Sequence, residues 1–386
     1  MRILQVSSAR NLGGGERHLA DLANALHARG HEVYAALPPR SPLREELRAL
    51  PPQNIFALRL RNALDVKSAL ALARLIREHR IEIVHAHLAR DYPLAALATM
   101  RNRRTKLVIT RHVLFPLNRL HALTLSHAAR VIAVSRAVER ALLKRKIFPA
   151  NKITVIHNGI DFRRLDASLQ NFDRETFRRE MRIPLDALLI GTIGDLKKQK
   201  GHEDFLRAAA LIAREEPSAH FVIVGADTTR EGEYQASLER LVKELGLTDR
   251  VTFAGWMKET APLLAALDVY VSASHTESFG LSIVEAMAAG LAVVATATEG
   301  AQEIIDRQDV GVLVPIGDAE ELAQAVRNLL KDANERTRIG KLARASARTR
   351  FSLERMVDET EQVYLEAQNS ELRTQDSGPR MKNLLF

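Results

Sequence analysis

One feature constrains the fold of this chain more than any other: short, almost wholly apolar runs alternate with stretches whose apolar residues recur at helical spacing. Arg2–Val6, Glu32–Leu37, Glu82–His85, Leu107–Thr110, Val131–Val134 and Lys152–Ile156 read as strands, and Glu16–Arg29, Val66–His79 and Arg136–Lys146 as helices between them. Strands joined by helical crossovers run parallel, and strands apolar on both faces are covered on both. A second series follows, with strands at Leu188–Ile193, His220–Val224, Arg250–Phe253, Val269–Ser272, Ala292–Ala295 and Val310–Val314. Its helices are expected at Gly201–Arg214, Glu233–Leu245, Leu281–Ala289 and Ala319–Lys331. The fold class is therefore α/β, with two Rossmann-like doubly wound parallel-sheet domains.

The length of 386 residues suits two such domains. Polar and charged residues replace the sheet pattern between Gly159 and Asp186, so the first domain is expected at 1–165 and the second at 166–350. The stretch Ala333–Ala367 reads as one long helical segment. Its last part, 351–370, is expected to lean back on the first domain, with 371–386 as a tail. There is no cysteine, which excludes disulfides, thiolate nucleophiles, zinc–thiolate sites and iron–sulfur clusters, and fits a cytoplasmic location. No run approaches bilayer-spanning length, and Met1–Ser8 reads as a first strand rather than a signal peptide.

The net charge of +9 hides an asymmetry. Residues 1–165 hold 29 basic against 11 acidic residues, a net +18, and the remainder carries a net −9. A basic half of this kind suits an anionic partner.

Three loops carry the chemistry. The first is Gly13-Gly14-Gly15-Glu16-Arg17-His18, between a strand and a helix, where glycines admit a close backbone approach and helix amides face an anion. A dinucleotide fingerprint would place its third glycine where His18 stands, and no Gly-Lys-Ser/Thr pattern occurs, so nicotinamide, flavin and P-loop chemistry are disfavoured. The second is Gly194-Asp195-Leu196-Lys197-Lys198-Gln199-Lys200-Gly201, whose lysine stands just before a helix; a solvated surface turn is its alternative. The third runs from His275 through Glu277, Ser278, Phe279, Gly280 and Leu281 to Glu285 and Gly290. Glu277 lies in a loop and Glu285 on an otherwise apolar helix, where a carboxylate needs a partner. Sugar hydroxyls, which donate to carboxylates, are natural partners; a helix-start charge and an arginine pair are the alternatives.

Seven residues separate Glu277 from Glu285, and with Ser278-Phe279-Gly280 and Glu285-Ala286-Met287-Ala288-Ala289-Gly290 they resemble the Glu-x7-Glu signature of retaining glycosyltransferases of family 4. The glycine loop, Lys200-Gly201 and the segment Phe253-Ala254-Gly255-Trp256-Met257 resemble that family's first loop, phosphate loop and nucleobase loop. The resemblance spans roughly Arg2 to Tyr364. It implies a GT-B fold, two Rossmann-like domains facing across a cleft, and transfer of a hexose-type sugar from a UDP- or GDP-linked donor to an acceptor hydroxyl in cell-envelope glycolipid or polysaccharide synthesis. It implies catalytic roles for His112 and Glu277. Donor contacts are implied for Gly13, Gly14, Lys200, Met257, Ser278, Phe279, Gly280 and Leu281, with Glu285 on the ribose. No metal and no cofactor are implied, and there is no Asp-x-Asp motif. His112 matches the family's Thr-x-His position, and His85 and His87 read as cleft lining. One departure stands out: Asp195 occupies the position where the family commonly has arginine, so either Lys197 or Lys198 is expected to compensate or the loop to take another course. The leaving diphosphate is expected to take the acceptor's proton, with Lys200 and helix amides stabilising its charge.

The basic clusters Arg101–Lys106 and Lys144–Lys146, beside Val113–Leu117 and a helix-like Asn118–Ala129, suit an anionic or lipid-linked acceptor. They also suit peripheral contact with the inner face of an anionic membrane. Nucleic-acid binding is a different-class alternative that low aromatic content and the lack of a known module disfavour, so no nucleic acid is expected. A nucleotide-sugar hydrolase or epimerase is the alternative within the fold.

Overall fold

The computed structural model describes residues 1–100, 102, 104–117, 121, 125–227, 229 and 232–369. The chain divides into two compact units, Met1–His157 with Glu354 onward, and Asn158–Leu353. The first unit's sheet comprises β1 (Arg2–Val6), β2 (Glu32–Leu37), β3 (Ile55–Ala57), β4 (Ile83–Ala86), β5 (Lys106–Arg111), β6 (Ala128–Ala133) and β7 (Ile153–Val155). Its order is β3-β2-β1-β4-β5-β6-β7, all parallel. The second unit's sheet comprises β8 (Leu188–Ile193), β9 (Ala219–Val224), β10 (Val251–Gly255), β11 (Val269–Ser272), β12 (Ala292–Thr296) and β13 (Val312–Val314), in the order β10-β9-β8-β11-β12-β13 and again all parallel. Each sheet is doubly wound, as the alternation requires.

Strand order reverses between β1 and β4 in the first sheet, and between β8 and β11 in the second. Crossovers leaving in opposite directions open a crevice beyond the strand C-termini at that place, where ligands of open α/β sheets bind. The glycine loop follows β1, the Lys200 loop follows β8 and the Glu277 loop follows β11.

Several elements depart from the sequence expectations. Strand β3 is three residues long and escapes a periodicity test. The helix Tyr92–Thr99 has buried residues nearly all round, so it shows no amphipathic stripe. Ala128 and Ala129, expected at the end of a helix, belong to β6; half of that expected helix, with Arg101, Arg103 and the expected tail 371–386, lies outside the described residues. The expected single segment Ala333–Ala367 is two helices, Ala333–Arg350 and Leu353–Asn369. The break comes from outside the segment. Ile160 N donates to Phe351 O at 2.8 Å and Leu353 N to Ile160 O at 2.9 Å, an extended bridge that helical backbone cannot form.

The helix Leu353–Asn369 packs into the first unit. Tyr364 is fully buried, and its hydroxyl lies 2.6 Å from Nδ1 of His85 on β4. Glu361 pairs with Arg29 and with His31, each at 2.6 Å.

Asp91, between β4 and the Tyr92–Thr99 helix, is buried; Oδ2 accepts from Ser8 N at 2.7 Å, while Oδ1 is buried without a hydrogen-bond partner. Burial raises its pKa from the ordinary 3.8 to about 6. A raised folded-state value means that the folded chain holds this proton more tightly. The group's contribution to stability is greatest below pH ~4, declines between ~4 and ~6, and is constant above, a swing on the order of 3 kcal/mol. Asp91→Asn, which cannot ionise, should therefore gain stability relative to the parent as pH rises from 4 to 7. Denaturant melts of both proteins at several pH values check this; a pH-independent difference contradicts it.

Candidate active site

The second unit's site begins with backbone. Several helices away from the switch points, though not those at Pro42 and Thr260, start at side-chain caps such as Asp65, Ser135, Thr298 and Asp318. The helices after β1, β8 and β11 start instead at Gly13, Gly201 and Gly280, none with a side-chain cap. The helix at Gly232 shares this feature. First-turn amides left without a capping oxygen are anion sites in form.

Gly201 is required twice. Its φ of +65° lies in the left-handed region, and a Cβ there would stand 1.9 Å from the carbonyl oxygen of Ala273, at the end of β11. The loops after β8 and β11 are thereby pressed together. His275 N adds a hydrogen bond to Gln199 O at 2.8 Å, and His275 Nε2 lies 2.6 Å from Asp204 Oδ2.

This contact brings Lys200 Nζ to 2.7 Å from Glu277 Oε2, with both side chains only partly exposed. Ser274 Oγ donates to the same carboxylate oxygen at 3.3 Å, and Gly300 N donates to Glu277 O at 3.2 Å. A carboxylate that keeps a second oxygen for donors, beside an ammonium with further N–H groups, can engage hydroxyls and phosphate together. Ser278, Phe279, Gly280 and Leu281 lead from Glu277 into the helix Leu281–Ala288; Phe279 and Gly280 are buried. Glu285 is half-buried on that helix, between buried Val284 and Ala286. Met257 is half-buried in the loop after β10, next to half-exposed Trp256. Asp195, at the departure position, is paired with Lys197 at 2.7 Å, both side chains being exposed.

In the first unit, Gly13 and Gly14 are exposed at the start of the helix Gly14–Ala28, and Glu16 Oε2 accepts from Gly13 N at 3.0 Å. His112 follows β5, with its ring against Gly15. His87, one residue beyond β4, lies with Nδ1 3.4 Å from His112 Nε2, while its own Nε2 is 2.8 Å from Gln5 Oε1. Burial lowers the pKa of His85, His87 and His112 well below the ordinary value, so these rings are neutral. His85, read with His87 as cleft lining, is fully buried, between Tyr364 Oη and Thr110 Oγ1 at 2.6 and 2.7 Å. Leu117 is buried too, while Phe115 is 64% exposed, its carbonyl accepting from the Arg111 guanidinium.

Sequence reasoning missed Ser274, Gln5 and the place of His18, whose ring centroid is 4.8 Å from that of His112. The His85-x-His87 spacing signalled a shared strand face, but which loops meet that face depends on strand order.

Two parallel doubly wound sheets with glycine-started helices at their switch points are the architecture of GT-B glycosyltransferases, which are also this chain's structural neighbours. Residues 12–164 match the family model for Glycosyltransferase Family 4, and residues 173–346 match that for glycosyl transferases group 1. Among curated relatives, the lipopolysaccharide core biosynthesis glycosyltransferase LpsE of Rhizobium meliloti is 28% identical over 355 residues, covering 90% of this chain and 94% of that one. The N-acetyl-alpha-D-glucosaminyl L-malate synthase of Bacillus anthracis is 28% identical over 376 residues, covering 92% and 94%. Among solved structures, Anabaena HepE in complex with UDP and glucose superposes with a TM-score of 0.82 at 24% identity, over 94% of this chain and 98% of that one. The chain belongs to glycosyltransferase family 4.

The Gly201 contact makes a specific demand. Gly201→Ala should cost on the order of 3 kcal/mol, because a backbone oxygen must move. Gly246→Ala, at φ +70° with nothing within 4 Å, should cost only about 1 kcal/mol of backbone strain. Parallel thermal melts compare them, and equal losses would refute the rigid contact.

Proposed function

We propose that this glycosyltransferase moves a hexose-type sugar from a UDP- or GDP-linked donor to an acceptor hydroxyl with retention of anomeric configuration, in cell-envelope glycolipid or polysaccharide synthesis. The observation that carries the reading is the Lys200–Glu277 pair, 2.7 Å apart at the switch point of the second sheet and beside an uncapped helix start. The UDP and glucose of the HepE complex and the lipopolysaccharide role in the LpsE name support the donor and acceptor classes.

In this reading Lys200 and the amides of Ser278 to Leu281 take up the charge of the departing diphosphate. Glu277 accepts hydrogen bonds from the transferred sugar, Glu285 holds the ribose hydroxyls and the backbone at Met257 meets the base. On the first unit, Gly13 and Gly14 contribute backbone contact to the diphosphate, and neutral His112 orients the transition state. The acceptor oxygen forms its bond to the anomeric carbon as the bond to the diphosphate breaks, and the acceptor proton leaves with the departing phosphate. No resident metal or cofactor is assigned to these steps.

Proton NMR of the product checks the stereochemistry: retention is expected, and inversion refutes the reading. Lys200→Met should lower kcat 10²–10³-fold, on the scale of losing one strong charge-stabilising donor. A loss below about fivefold argues against Lys200 as the diphosphate contact. Release of free sugar without transfer would favour the hydrolase alternative.

The acceptor side is assigned to the basic first unit, at the inner face of an anionic membrane. Phe115, Val113 and Leu143 are exposed beside the exposed Lys144, Arg145 and Lys146. Among the described residues no helix is long and apolar enough to cross a membrane. Basic residues near anionic lipid contribute about 1 kcal/mol each. Co-sedimentation with phosphatidylglycerol vesicles should weaken severalfold between ~50 and ~300 mM salt; binding that is absent or indifferent to salt contradicts this assignment.

A further inference from the structure

The first unit gathers two histidines that the transfer steps above do not use, His18 and His87, around His112, which they do. His18 comes from the first helix, His87 from the end of β4 and His112 from the end of β5, so β1/β4/β5 adjacency brings them to one sheet edge. Each offers a ring nitrogen, and these atoms all lie within 4.8 Å of one another. His18 and His87 are buried and His112 is partly so.

The His87–His112 geometry is informative. Nδ1 of His87 and Nε2 of His112 are 3.4 Å apart. This is long for an N–H···N hydrogen bond, whose ordinary length is about 3 Å. It matches the edge of a tetrahedron drawn around an ion with metal–nitrogen distances of about 2.0–2.1 Å, which is about 3.3 Å. The opposite nitrogen of His87 faces Gln5 Oε1 at 2.8 Å, so Nε2 carries the proton and Nδ1 turns a lone pair toward His112. An acceptor oxygen that fixes the tautomer of a metal-binding histidine in this way is a regular feature of such sites, and here the Gln5 amide oxygen takes the place usually held by a carboxylate, a backbone carbonyl or water. Gln5 is itself fully buried and held in place on β1.

We propose that His18, His87 and His112 form a binding site for one divalent transition-metal ion of the Zn²⁺, Co²⁺ or Ni²⁺ class. Imidazole nitrogens select these ions over Mg²⁺ or Ca²⁺, which require oxygen ligands. Three protein nitrogens leave a fourth position for water. The ion is not part of the transfer chemistry. It holds the His112 ring, and, resting on the role given to His112 above, its binding slows transfer.

The test uses the full chain without an affinity tag, stripped with chelator and titrated with ZnCl₂ by calorimetry, and with CoCl₂ by visible absorption. One ion per chain is expected, with X-ray absorption showing nitrogen ligands at about 2.0 Å. His87→Ala and His18→Gln should each weaken binding at least tenfold, and Gln5→Leu about tenfold through loss of the outer partner. Circular dichroism of each metal-free variant verifies folding; should His87→Ala fail to fold, His18→Gln decides alone. Substoichiometric uptake, an oxygen-dominated absorption spectrum, or unchanged affinity in the folded His18→Gln variant would overturn the site. Stoichiometric Zn²⁺ should also lower the transfer rate of the parent. Binding without any change in rate would uphold the site and overturn the role given to His112.

Discussion

The hydrogen-bonded adjacency of β8 and β11 is the constraint on which the second unit's chemistry depends. These strands are far apart in sequence and are neighbours only because the crossovers after β8 and β11 run to opposite sides. Their C-terminal loops then have nowhere to go but against each other. Gly201 makes the approach possible, because any side chain there would meet the backbone of Ala273. Lys200 and Glu277 are thereby paired before any ligand arrives. The same logic operates in the first unit, where the β1 and β4 neighbours bring the glycine loop, His18, His87 and His112 to one edge.

Charge is arranged locally rather than in bulk. The acidic half of the chain carries the loops that resemble the family's phosphate and sugar motifs, and there one lysine stands beside helices that start at glycine without a side-chain cap. Asp195, in the same loop, is paired with Lys197. In the basic half, neutrality is produced by burial instead. His85, His87 and His112 sit close together at no electrostatic cost only because they carry no proton charge. Neutral rings with free lone pairs can orient a hydroxyl or take a metal ion.

Much of the fold was legible because a parallel sheet covered on both faces demands apolar strands, and amphipathic helices must alternate with them. The elements that escaped were those whose evidence is not local. The helix Tyr92–Thr99 is buried all round and so lacks a stripe; Phe351 interrupts a continuing helical pattern because Ile160, far away in sequence, hydrogen-bonds across it. In the site, Glu277, Glu285 and Lys200 were legible as residues of interest, although spacing alone left a bland reading of each open and their roles came from the family resemblance. Ser274 and Gln5 were not, since serine and glutamine are informative only once their partners are known.

The sequence by itself determined the class of fold, the glycine-opened loops and the residues able to carry charge or donate hydrogen bonds, because these follow from side-chain type and from periods of two and 3.6 residues. Tertiary structure alone decided which of those residues meet. Strand order placed Lys200 on Glu277, drew Tyr364 onto His85 and assembled a three-histidine cluster from segments nearly a hundred residues apart. Such pairings depend on which strands hydrogen-bond and on how closely their loops can approach, and neither is encoded in local pattern.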